Sequence, residues 1–141
     1  MAKFGAFINA GLSINGTNLS ARVESVTLQL SKDDLDITAM GDGGHQHVGT
    51  LENSKLSVNF WQDFAATQVD AICLAVFQGG TAVPFKLVGS GSVASSTNPM
   101  YSGNVVLTEY APIGGKVGDA LMAPVSFVVS GSVTSATSGT V

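Results

Sequence analysis

Alternation with a period of two runs through most of this chain. In the stretch from Val23 to Leu30, the apolar Val26, Leu28 and Leu30 share one face and Ser25, Thr27 and Gln29 the other, as a half-buried strand requires. Lys55 to Trp61 repeats the pattern with Leu56, Val58 and Phe60 inward, and Leu35, Ile37 and Ala39 alternate with Asp34, Asp36 and Thr38. Further strands are expected at 82–88, 103–110 and 123–130. The last two are apolar on both faces in places, as in Val105-Val106-Leu107, so they need cover on both sides from a second layer or a neighbouring subunit.

One segment breaks this rhythm. Across 65–77, Val69, Ile72, Cys73, Val76 and Phe77 fall at helical spacing and form a single apolar stripe. Thr67 and Asp70 are spaced like a capping box, and Asp63 is an alternative cap. Many strands with one amphipathic helix predict an all-β-dominated fold, a β-sandwich or barrel of two packed antiparallel sheets flanked by that helix. Nothing divides the chain, so residues 1–141 are expected as one domain.

The punctuation agrees. Asn15-Gly16 is a type I′ hairpin signal, because both central positions of that turn need positive φ. Gly79-Gly80 closes the helix, and Asn98-Pro99 and Gly114-Gly115 mark further turns. After Gly131 the chain holds Ser, Thr, Gly and Val without anchoring bulk, so 131–141 is expected as a flexible tail. Residues 40–53 read as an inter-strand loop longer than a hairpin needs, and such loops commonly carry contacts.

Composition sharpens the functional reading. Charged residues make up 11% of the chain, against roughly 25% in a typical soluble domain. A surface this poor in charge suits cover by other protein; the bland alternative is a monomer solvated by its 27 Ser and Thr residues. The net charge is −4 and the six Lys and Arg are scattered, which disfavours tight phosphate binding but leaves room for a surface along which DNA slides. The single Cys73 rules out an internal disulfide and reads as a small core residue. No run of 18 apolar residues occurs, so no membrane partner is expected, and Met1–Asn9 makes a poor signal peptide.

Candidate chemistry is thin. His45 and His47 with Asp42 fall short of the three or four supported ligands of a metal site, so no metal is expected and the loop reads as a polar contact surface. Gly41-Asp42-Gly43-Gly44 lacks the Lys and the following helix of a phosphate cradle. No Gly-x-Ser-x-Gly occurs, and Asp34 and Asp36 share a solvent face where acids are ordinarily just hydrated. The chain is therefore expected to be no enzyme and to need no cofactor. Trp61 and Phe64 read as anchors of the helix on the sheet; a subunit interface or a sugar-stacking platform are the alternatives.

Taken in order, several segments resemble the siphovirus-type major tail tube proteins of bacteriophages. These are Ser13-Ile14-Asn15-Gly16-Thr17-Asn18-Leu19-Ser20, Asp34-Leu35-Asp36-Ile37-Thr38-Ala39-Met40-Gly41-Asp42 and Leu56-Ser57-Val58-Asn59-Phe60-Trp61-Gln62-Asp63-Phe64. Asn98-Pro99-Met100-Tyr101-Ser102-Gly103, Tyr110-Ala111-Pro112-Ile113 and Val117-Gly118-Asp119 follow, leading into Val125-Ser126-Phe127. The Ser/Thr-rich tail departs from the pattern. The resemblance implies a virion protein, assembled in the host cytoplasm, whose copies close into hexameric rings that stack as a conduit for DNA, with other tail proteins at the tube ends. It implies that the long loop, with Asp42, His45, Gln46 and His47, contacts the adjacent ring. Asp34, Asp36 and Glu109 are the acids expected to line the lumen. Other virion roles, a capsid decoration or tail-terminator protein, and a carbohydrate-binding module built on Trp61 are the competing readings.

Overall fold

The computed structural model describes residues 9–141; the opening segment weighed as a signal peptide lies outside them but for Asn9. Strands hold 47% of the described residues, as the alternation predicts. Their order is β1 (Gly11–Ile14), β2 (Thr17–Asn18), β3 (Val23–Gln29), β4 (Lys32–Asp36), β5 (His47–Glu52) and β6 (Lys55–Trp61). Then follow the helix α1 (Val69–Gly79), β7 (Val83–Val88), β8 (Met100–Val106) and β9 (Met122–Ala136).

Seven strands form one antiparallel sheet in the order β2-β1-β7-β8-β9-β6-β3, while β4 and β5 pair only with each other. The seven-stranded sheet curls on itself. Leu12 and Ile14 near one edge therefore share a core with Leu56, Val58 and Phe60 near the other, together with Phe85, Val105, Val125 and Phe127. One curled sheet thus supplies both walls of the core. The helix closes it with Val69, Cys73 and Val76, all buried.

Local chemistry explains the details. Asn15 and Gly16 have φ of 52° and 80°, so the type I′ turn joins β1 to β2 as its sequence demands. Gly80, at φ 67°, ends the helix in the left-handed conformation. The helix starts at Val69, where its apolar stripe begins, four residues after the expected start at 65. Thr67 sits at φ 62° and Gln68 is extended, so 65–68 form a turn. Neither the Thr67–Asp70 box nor an Asp63 side-chain cap forms; Asp63 instead accepts the Ala65 N–H at 2.9 Å.

One expectation needs correction. Residues 131–136 are not a loose tail but the second half of β9, paired with β8 from Ser102↔Thr134 to Met100↔Ala136. Beyond them Ala94 N–H donates to Gly139 O and Val141 N–H to Ser92 O, and Val141 packs against Val88, Ala94 and Met100. Long-range pairing holds this Ser/Thr-rich end, aided by the packing of Val133 and Val141. Among the described residues β9 is covered on one face, with Ala123, Val125, Phe127 and Val129 buried; Pro124, Ser126 and Val128 are exposed on the other, which leaves that face to the neighbouring subunit named as the second source of cover.

The start of β1 lies tight against its neighbours. A Cβ built on Gly11 would stand 2.2 Å from Gly91 O and 3.0 Å from Val141 Cγ2. Backbone must move to admit it, so Gly11→Ala is expected to lower unfolding free energy in urea by about 1–3 kcal/mol.

Candidate assembly surfaces

The part of the molecule with the most unsatisfied apolar surface is the β4–β5 hairpin. The 40–53 segment expected as a loop is only partly one: 47–52 is a strand, and the tip spans 37–46. The hairpin is exposed on both faces, because its partners Leu35↔Val48 and Asp36↔His47 pair within the ribbon and no other strand covers it. Leu35, Ile37, Val48 and Leu51 are 42–76% exposed, and Met40 at the tip is fully so. The alternation of Leu35 and Ile37 was legible; that none of the other described residues covers them was not.

Its base is firmly held. Asn53 N–H donates to Ser31 O at 2.8 Å, the buried Ser54 hydroxyl accepts the Ser31 N–H, and the Glu52 carboxylate accepts the Val133 N–H at 3.1 Å. The tip is shaped by side chains rather than left loose by its glycines. The Asp42 carboxylate accepts the Ala39 N–H at 2.7 Å, and the Thr38 hydroxyl accepts the Gln46 N–H at 2.8 Å. Gln46 O in turn accepts the Ile37 N–H. Asp42 is therefore a turn former, and Gln46 contributes through its backbone.

The ribbon is two-faced. Leu35 and Val48 oppose each other on one side, with Ile37 continuing that row. On the other side Asp34 and Asp36 meet the histidines: His47 Nδ1 lies 3.1 Å from Asp34 and His45 Nδ1 lies 3.4 Å from Asp36. The Thr38 hydroxyl and then the Thr38 N–H hold the Asp36 carboxyl below the usual carboxylate range, with a smaller contribution from His45. The residues assigned separately to a contact loop and to a lumen lining thus occur together. Glu109 does not join them. Strand β8 ends at Val106, and Glu109 is exposed on the following segment, beside Phe77 and Pro124.

A second apolar surface lies at the far end of β6. That strand begins at Lys55, next to the hairpin base, and runs to Trp61. Six residue steps carry it roughly 20 Å. Trp61 is 44% and Phe64 55% exposed, so neither anchors the helix as expected. Strand alternation buries Phe60 and turns Trp61 outward. Phe77 and Ile113 are likewise exposed.

The helix is fixed by polar contacts that the sequence did not single out. Tyr110 donates its hydroxyl to Asp70 at 2.9 Å, while Gln62 Nε2 donates to Tyr110 and to Pro112 O. Arg22 Nε contacts Asp63 at 2.8 Å across the strand-to-helix junction. The Ala65 N–H first, and then Arg22, hold the Asp63 carboxyl low. Burial pushes the Cys73 thiol up to about 12, consistent with a core residue rather than a nucleophile. Among the described residues, no group of three or more His, Cys, Asp or Glu is placed to hold a metal.

Among several shallow concavities, the most apolar is a cleft of about 400 Å³ between Val26, Leu28 and Leu30 on one side and Leu87, Pro99 and Tyr101 on the other. It opens where the edge strand β3 approaches β7 and β8 without pairing to them.

This curled sheet with one helix and a free hairpin is a fold found in virions. A chain from the virion of a native gene transfer agent particle matches it with a TM-score of 0.71 at 13% identity, over 95% of this chain and 98% of that one. A chain from the tail of an empty gene transfer agent particle, refined helically with C6 symmetry, matches with a TM-score of 0.72 at 14% identity, over 94% and 98%. At such identities the likeness establishes the fold. No protein-family model matches the chain, and no match is found among curated proteins.

Proposed function

We propose that this chain is the repeating subunit of a phage-type tail tube, in a virus or a phage-derived particle. Copies close into rings of six, the rings stack, and the hollow stack is a conduit for DNA, built in the host cytoplasm and capped by other tail proteins. The observation that carries the reading is the likeness, over nearly the full length of both chains, to a chain of a tail refined with C6 symmetry. The chain works by assembling and not by catalysis.

Its own surface supports this. Strand β3 forms one edge of the large sheet, seven residues long, with neither Lys nor Pro to protect it. Such an edge is a liability in a monomer and an asset where a neighbour pairs with it to close a ring. The apolar row Leu35, Ile37 and Val48 projects from the body and suits contact with the next ring. Apolar surfaces at both ends of β6 make a head-to-tail contact, the kind that continues into an open stack. The scattered lysines leave DNA free to slide, because no cluster exists to release counterions and grip phosphates.

Electron microscopy of the purified chain at high concentration tests the reading. Rings and hollow tubes are expected. Monomers, or trimers as a capsid decoration protein would form, at every concentration would overturn it.

A further inference from the structure

Stacking leaves one feature of the hairpin unused. Residues 32–52 contain Asp33, Asp34, Asp36, Asp42 and Glu52 against Lys32 alone, which amounts to the entire formal net charge of −4; the rest of the chain balances five basic residues with five acidic ones. Both histidines of the protein lie in this same ribbon, each against a carboxylate: His47 at 3.1 Å from Asp34 and His45 at 3.4 Å from Asp36, their rings 6.1 Å apart. Among the described residues, no charged side chain from another element comes within ion-pair distance of either ring. The groups that bear on them are Asp34 and Asp36, with Asp33, Asp42, Glu52 and Lys32 further along the ribbon.

We propose that self-assembly of this chain is proton-linked through the Asp34–Asp36–His45–His47 face: copies join more readily as the two histidines take up protons. The inference rests on the tube reading, because ring closure is what brings several of these acidic ribbons together. Crowding like charges raises the free energy of the assembled state, and each proton taken up by an imidazole removes one net negative charge from the ribbon. Histidine is the side chain whose charge ordinarily changes between pH 5 and 8. A single exposed His–carboxylate pair contributes little to folding. In an assembly the same pair recurs in every copy, and linkage counts all of them. The sign follows: the state that binds more protons is the assembled one, so the added stability is present at low pH and lost as pH rises.

The threshold concentration for assembly, measured by sedimentation at fixed ionic strength, gives the test. With uptake of about half to one proton per copy, the threshold should fall roughly five- to thirtyfold between about pH 7.5 and pH 6. The His45→Gln/His47→Gln variant should show nearly the same threshold at both. Asp34→Asn/Asp36→Asn should assemble at a low threshold at either pH. The hairpin makes few core contacts, so each variant is expected to fold, and circular dichroism confirms that independently. A wild-type threshold independent of pH, or a histidine variant that keeps the wild-type dependence, overturns the proton linkage and leaves the tube reading intact. Failure to assemble at any pH overturns both.

Discussion

A subunit carrying Leu35→Ser, Ile37→Ser and Val48→Ser is expected to fold normally and to need a roughly 50- to 2000-fold higher concentration to assemble, taking about 0.8–1.5 kcal/mol for each half-exposed apolar side chain that a neighbour would otherwise cover. These three residues are 42–55% exposed in the single chain and lie outside its core, so the folded subunit loses little. Only the assembled state covers them. The substitutions leave Asp34, Asp36, His45 and His47 in place, which separates loss of apolar contact from loss of the charged face. Thermal melting followed by circular dichroism should change by only a few degrees, while electron microscopy shows no tubes. Tubes forming at the wild-type threshold would remove the hairpin from the interface.

The second large effect concerns the subunit itself. Phe127 is completely buried in β9, opposite Leu56, and belongs to the cluster that joins both walls of the curled sheet. Phe127→Ala is expected to lower unfolding free energy by about 3–5 kcal/mol, through lost transfer energy and the cavity left behind. Against a typical total of roughly 5–15 kcal/mol, that leaves a marginal fold. Urea denaturation should show the midpoint fall with little change in slope. A loss below about 1 kcal/mol would mean that the two walls hold together without it.

Local pattern made the secondary structure largely legible, and it failed where distant pairing decides. Strand β6 occupies 55–61, as its alternation of Leu56, Val58 and Phe60 predicts, and Asn15-Gly16 turns where its chemistry requires. The second half of β9 was missed because Ser130, Ser132, Thr134 and Ser135 offer no apolar periodicity; β8 holds that stretch through the backbone. The helix start moved because Thr67 adopts a left-handed conformation that no propensity favours. Trp61 and Phe64 were misassigned for a related reason. Sequence shows that an aromatic residue wants cover, but not whether the cover comes from its own chain. The same ambiguity hid the hairpin, whose Leu35 and Ile37 alternate like any core-facing strand yet stay half exposed among the described residues. That the contact-loop and acidic residues would meet as His–Asp pairs required the register of β4 on β5, which no local rule supplies.

Strand β9 sits in the middle of the seven-stranded sheet, bonded to β8 on one side and β6 on the other, although it is the last strand in the chain. A growing polypeptide therefore has two part-sheets, β2-β1-β7-β8 and β6-β3, with nothing between them until residues 122–136 emerge. A chain that stops before β9 leaves β8 and β6 each without a partner on one side, so closure of the sheet waits for this strand.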